Sequence, residues 1–264
     1  MRPLILFAIT GLLTCSIFSA SAEEPAPGVQ VEQELKTGEG SIRYLLYLPK
    51  NFGDRTAAPH EGKWPLVLFL HGRGESEGPL RNVKKWGLPN FIDHGIQFPF
   101  IIASPQCPPS PKSWNSPEEQ KLLLALLAHL TNTFRTDTDR IYLTGLSMGG
   151  FGSWRLAADH PDMFAAVVPI CGGGDVADAE KLKNLPLWVW HGEADPTVPV
   201  KRSLEMVEAI KKAGSTTIRL TTLAHIGHVS WQAAYASPEV WQWMGEQTRT
   251  KNFERAKQKQ ISAG

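Results

Sequence analysis

A chain of 264 residues with 27 Lys and Arg against 26 Asp and Glu carries a formal net charge of +1, which gives it no field to steer toward nucleic acid. Its 23 glycines, 20 prolines and 9 tryptophans punctuate a composition that is 42% hydrophobic, which argues for one large folded core and against a disordered or fibrous chain. No spacer divides two cores, and there is no repeat at a period of about 20 to 50 residues.

The chain begins "MRPLILFAITGLLTCSIFSASAEE", with one basic residue at Arg2, an apolar run from Leu4 to Leu13 and the small residues Ala20, Ser21 and Ala22 at a cleavage site. This pattern predicts a signal peptide over residues 1–22 and export to the periplasm or the exterior. The apolar run is too short for a retained anchor, so no stable membrane insertion is expected after cleavage. Thr14 before Cys15 is too large for a lipid-attachment site. With Arg2 removed, the basic count equals the 26 acidic residues.

Residues 23–40 read as a polar linker and a first strand. "VQVEQELKT" and "SIRYLLYLPK" alternate on either side of Gly38-Glu39-Gly40, which predicts an antiparallel hairpin. Beyond a loop, six nearly continuous apolar runs follow, "WPLVLFLHG", "FIIASPQ", "RIYLTGLS", "AAVVPICG", "LPLWVWHG" and "TIRLTTL", as expected of strands covered on both faces. Helical stretches lie between them. "SPEEQKLLLALLAHLTNTF" has Ser116 as N-cap, Pro117 at the first helical position and Glu118 and Glu119 in the first turn. Gly214 is the stop for "VKRSLEMVEAIKKAG". The fold class is therefore α/β, with a mostly parallel central sheet, an N-terminal antiparallel hairpin and helices on both faces. Residues 249–264 form a basic polar tail, expected as a frayed helix end.

"LTGLSMGGFG" (residues 143–152) contains G-x-S-x-G between an apolar strand and a helix. Ser147 there has the setting of a nucleophile elbow, and Gly145 and Gly149 would let backbone segments approach where side chains collide. A serine hydroxyl is a poor nucleophile alone and needs a histidine base oriented by an acid. Asp195 in "HGEADPTVP" and His228 in "LAHIGHVSW" follow in the order Ser, acid, His, each in a loop at the carboxyl end of a strand. Asp195 outranks Glu193 and Asp175 by loop position and order, although it could also cap the helix near Pro199. His228 outranks His225 because Gly227 before it would let the loop bend over the serine. His71 and His191, each before a glycine at a strand end, read as structural. The oxyanion hole is expected from the backbone N–H of Met148 and of Arg73, with Gly74 as the competitor for the latter. The Arg73 side chain has Glu75 and Glu77 as alternative partners.

Cys107 and Cys171 remain after cleavage and admit either a disulfide or two buried thiols. No Cys/His spacing matches a structural metal site, and the chemistry above requires no cofactor.

The motifs "LFLHGRGESEG", "IIASPQCPPSPKSW", "LTGLSMGGFGSW", "LWVWHGEADPTVPV" and "GHVSW", in that order, resemble the α/β-hydrolase superfamily. Within it the chain is similar to the esterase and "predicted peptidase" group related to dienelactone hydrolases, phospholipase/carboxylesterases and polyhydroxybutyrate-depolymerase-like or feruloyl esterases. The resemblance implies a catalytic domain over residues 41–248, with Ser147 as nucleophile, Asp195 as acid, His228 as base and the backbone of Arg73 and Met148 as oxyanion hole. It implies a carboxylic ester hydrolase, with an acyl or feruloyl ester on a polysaccharide as the substrate that suits export. A serine peptidase acting on small peptides is the alternative, and a non-catalytic binding protein on the same scaffold a more remote one. No large lid is expected, because the segment between Gly172 and Leu185 is short. Trp114 and Trp231 are candidates to line an aromatic or sugar-binding pocket, while Trp154 and Trp190 read as core.

Overall fold

The computed structural model describes residues 25–263. The expected signal peptide lies outside the described residues. Eight strands form one sheet: β1 (Gln30–Thr37), β2 (Gly40–Tyr47), β3 (Trp64–Leu70), β4 (Ile101–Pro105), β5 (Thr136–Leu146), β6 (Ala166–Ile170), β7 (Leu187–Gly192) and β8 (Ile218–Leu223). Their order across the sheet is β1-β2-β4-β3-β5-β6-β7-β8. β1 pairs antiparallel with β2 through the expected turn, Thr37 opposite Gly40, and β2 pairs antiparallel with β4. From β4 to β8 every pairing is parallel. This is the α/β-hydrolase fold with its leading hairpin.

Alternation along the strands sorts side chains into two cores, because successive residues of a strand point to opposite faces. In β3, Leu66, Leu68 and Leu70 join one core, and Val67 and Phe69 the other. The first core is closed by α2 (Pro117–Thr133), α3 (Met148–Asp159) and α5 (Lys201–Lys212), through residues such as Leu126, Trp154 and Ile210. The second is closed by α1 (Gly87–Asp93), α6 (Trp231–Ala236) and α7 (Pro238–Glu246), through Leu88, Tyr235 and Trp243. β3 is buried at every position, as its unbroken apolar run requires.

Two local expectations are corrected. Ser116 stands at the N-cap of α2 without capping it through its side chain, since its Oγ accepts the N–H of Ser113 instead. The basic tail is not a frayed end: α8 (Arg249–Ala263) is a helix of 15 residues docked on the body. Arg249 donates to the carbonyls of Asp162 and Thr138, Thr250 donates to Asp139 Oδ1, and Asn252 donates to the carbonyl of Ala165. Between β6 and β7 lies only a short 3-10 turn (Val176–Asp178) and the one-turn α4 (Ala179–Leu182). Among the described residues, no helix is long and apolar enough to cross a membrane.

Candidate active site

The carboxyl ends of β5, β7 and β8 bring together residues far apart in sequence. Ser147 follows β5 directly and holds φ 54° and ψ −117°, a left-handed conformation that costs a non-glycine residue strain of about 1–3 kcal/mol. The strain is held because α3 starts at Met148, and the Ser147 N–H donates to Ile170 O at 3.0 Å. The turn also needs a glycine in α3. A Cβ on Gly149 would stand 1.9 Å from Leu70 O, so the elbow packs backbone to backbone against the end of β3.

Ser147 Oγ lies 2.8 Å from His228 Nε2, and His228 Nδ1 lies 2.7 Å from Asp195 Oδ2. The other carboxylate oxygen, Asp195 Oδ1, accepts the backbone N–H of Thr197 at 2.8 Å and of Val198 at 2.9 Å. Asp195 does not cap α5, whose N-cap residue Val200 makes no side-chain cap; its Oδ1 instead ties down the N–H groups of its own loop while Oδ2 orients His228. Burial would raise the Asp195 pKa, but the His228 hydrogen bond, the two backbone N–H groups and the His228 charge outweigh it and hold the carboxyl below the ordinary value. The competing acids have other work: Asp175 Oδ1 accepts the Ala177 N–H, and Glu193 Oε1 accepts the hydroxyl of Thr222. His225 is exposed at a left-handed turn with φ 62°.

The loop glycine matters at a different place from the one expected. A Cβ on Gly227 would meet nothing closer than 3.8 Å, whereas one on Gly192 would stand 2.2 Å from Gly227 O. The histidine loop is therefore seated on Gly192, at the end of β7.

A second Ser-His pair shares Asp195. His191 Nδ1 is 2.7 Å from Ser203 Oγ, and His191 Nε2 is 3.3 Å from Asp195 Oδ2 and 2.8 Å from Val198 O. Both His191 and Ser203 are 0% exposed, so no substrate reaches that serine. This pair is a buttress under the acid loop, in keeping with the structural reading of His191. Its part in positioning Asp195 went unread in the sequence, where His191 and Asp195 four residues apart were the available signal.

Arg73 opens a short 3-10 turn (Arg73–Glu75) and Met148 opens α3, positions whose N–H groups have no partner within their own helix. Both line a cavity of about 320 Å³ with Ser147. The Arg73 side chain reaches neither Glu75 nor Glu77 and donates to Lys112 O. His71 beneath this turn is buried, its Nε2 accepting the Cys107 N–H at 3.0 Å. A larger cavity of about 630 Å³ beside α8 includes none of Ser147, Asp195 and His228 in its lining.

A family model described as "Putative esterase" matches residues 36–261. The chain belongs to this esterase family. The chain is 32% identical over 149 residues to the "Putative esterase NocK" of Nocardia uniformis subsp. tsuyamanensis, covering 53% of this chain and 42% of that one. It is 22% identical over 171 residues to acetylxylan esterase A of Emericella nidulans, covering 60% and 52%. Among solved structures it is similar to a thermostable esterase, with 32% identity and a TM-score of 0.69 over 84% of this chain and 64% of that one. The chain thus spans about half the length, or less, of these two curated relatives. Fold, family and the Ser-His-Asp arrangement together support a serine hydrolase.

Both tryptophans expected at the substrate pocket are corrected. Trp114 is fully buried, its Nε1 donating to His71 O at 2.9 Å, because its loop folds it beneath the turn at Arg73; its neighbours Ser113 and Asn115 line the cavity instead. Trp231 is 5% exposed and meets the His228 ring edge-on, centroids 5.4 Å apart, so it supports the histidine. Trp154 and Trp190 are core as read.

Cys107 and Cys171 are both free and buried, which excludes the disulfide alternative in this structure. Cys171 Sγ comes within 4.8 Å of donor atoms of Asp195 and His228. Burial pushes its thiol up to about 12, and the two other donors face each other in a hydrogen bond, a set poorly suited to a metal ion.

Proposed function

We propose that this chain is an exported carboxylic ester hydrolase that works through an acyl-enzyme on Ser147. The observation that carries the reading is the continuous hydrogen-bonded chain from a strained, accessible serine through His228 to a buried ionised Asp195. As Ser147 Oγ attacks the ester carbonyl, its proton passes to His228 Nε2. Asp195 holds the other ring nitrogen and favours the imidazolium. The developing oxyanion is received by the N–H groups of Arg73 and Met148, each such donor contributing about 3–4 kcal/mol to the transition state. His228 then protonates the leaving alcohol, and water repeats the sequence to release the acid.

The substrate reading is an acyl or feruloyl ester carried on a polysaccharide. It is supported by the predicted signal peptide and by similarity to an acetylxylan esterase. A panel of acetylated xylan, feruloylated oligosaccharide, lipid esters and peptides, assayed with the purified mature protein, tests it. Turnover of one or the other of the first two above the lipid esters and peptides is expected. Efficient turnover of peptides alone would replace it with the peptidase alternative. Export is tested by the N-terminus of the mature protein, expected at Glu23.

A further inference from the structure

Two cavities lie side by side along α3. The first is the 320 Å³ space lined by Arg73, Ser113, Asn115, Ser147, Met148 and Phe151. The second, about 250 Å³, has Trp154, Leu182 and Met206 on its walls, with Arg155, Asp175 and Asp178 at its polar side. The residues common to both are Asn115 and Phe151. Helical spacing explains the alignment, since Ser147, Phe151 and Arg155 fall four residues apart and share one face, each step advancing about 6 Å. The Phe151 N–H donates to Ser147 O at 3.0 Å, which fixes the ring one turn beyond the nucleophile. Across from α3 the ring rests on the loop after β6, where a Cβ on Gly173 would stand 3.2 Å from Phe151 Cε1.

The direction of the substrate follows from the proton. His228 must reach the leaving oxygen, so the alcohol lies on its side of Ser147. Neither His228 nor Trp231 lines either cavity, whereas Arg73 and Met148 line the first. The acyl group therefore enters the first cavity and points along α3 at Phe151.

We propose that Phe151 is a specificity-determining residue that closes the acyl pocket and restricts this chain to short acyl groups, which selects the acetyl over the feruloyl ester among the substrates proposed above, with the second cavity standing behind it as unused length. The proposal rests on the acyl-enzyme reading of Ser147. Without the ring the two spaces join, and each methylene newly buried against Trp154, Leu182 and Met206 strengthens binding about fourfold.

The test is kcat/KM of the mature protein toward p-nitrophenyl acetate, butyrate and hexanoate. Wild type is expected to fall off steeply from acetate to hexanoate. Phe151→Ala should raise the hexanoate-to-acetate ratio by about tenfold or more, and Phe151→Trp should lower the butyrate-to-acetate ratio. If Phe151→Ala loses its cooperative unfolding transition, Phe151→Leu carries the same comparison with a smaller rise. Ratios unchanged within about twofold in all folded variants would overturn the proposal. Acetate turnover surviving in Ser147→Ala would instead overturn the acyl-enzyme reading on which it stands.

Discussion

Asp195 and His228, 33 residues apart in the chain, meet through a 2.7 Å hydrogen bond between Oδ2 and Nδ1. The carboxylate that accepts it is 8% exposed yet held ionised, because three hydrogen bonds more than offset the desolvation that burial imposes. In the proposed mechanism it fixes the tautomer that leaves Nε2 free to take the serine proton. Asp195→Asn should therefore lower kcat on an activated ester by roughly 10⁴-fold with little change in KM. Steady-state kinetics of the folded variant check this, and a loss under about tenfold would remove Asp195 from the triad.

Two serines lie beside histidines that share this aspartate, and they should behave in opposite ways. Ser147→Ala is expected to abolish acylation, a loss of roughly 10⁴-fold or more in kcat. Ser203→Ala leaves the buried His191 Nδ1 without its 2.7 Å partner and should cost about 1–3 kcal/mol of stability while turnover persists. Urea midpoints and single-turnover acylation of both variants separate the roles. Loss of acylation in Ser203→Ala, with Ser147→Ala active, would exchange them.

Gly149 carries the close approach on which the elbow depends. A methyl group there would sit 1.9 Å from Leu70 O, against backbone that cannot yield without displacing the end of β3. Gly149→Ala should give insoluble protein or one without a cooperative unfolding transition. A Gly227→Ala control, where the added Cβ has only ordinary contacts, should stay folded. Comparable thermal unfolding of the two would refute the packing argument.

The fold was legible because buried parallel strands leave unbroken apolar runs, and the triad because its order and strand-end positions are properties of the chain. Ser147 stands directly after β5, and Asp195 and His228 lie in the loops that follow β7 and β8, so the sheet brings all three to one edge. The pocket was less legible, since loop side chains a single position apart can face opposite ways. Trp114 turns under the loop and is buried, while Asn115 beside it opens on the cavity. Aromatic type suggested a platform, but it was the bulk of Trp114 that found a place in the core. The basic tail misled for a related reason: its charges suggested a solvated end, whereas Arg249 and Asn252 use their polar groups to bind backbone carbonyls of the body.

The two buried cysteines give a chemical check on the packing around the site. Burial raises both thiols to about 12, so neither offers a thiolate at neutral pH. In the native mature protein neither should react with a thiol-specific disulfide reagent over minutes, and both should react once the chain is unfolded without reductant. Absence of reaction in the unfolded, unreduced chain would reveal a disulfide between Cys107 and Cys171.

His71 should make stability depend on pH. Burial, with the nearby Arg73 charge, lowers its pKa from the ordinary 6.5 to about 4, despite the hydrogen bond to Gly72 O that favours the protonated ring. Its Nε2 accepts the Cys107 N–H, so protonation there forfeits a buried hydrogen bond. Below pH 6.5 the unfolded chain takes up a proton that the native ring does not take until about pH 4. Stability is therefore lost as pH falls through that window, at about 1.4 kcal/mol per pH unit and roughly 3 kcal/mol in all. Glu75, with a carboxylate oxygen 3.9 Å from His71 Nδ1 and a pKa raised by burial, acts in the opposite sense near the acid end of the window. The quantity to read is thus the difference between wild type and His71→Gln in urea unfolding at pH 7.0, 5.5 and 4.5. The variant should start less stable and lose less on acidification, its slope shallower by close to one proton. Parallel slopes would mean that the native ring takes up its proton as readily as the unfolded one.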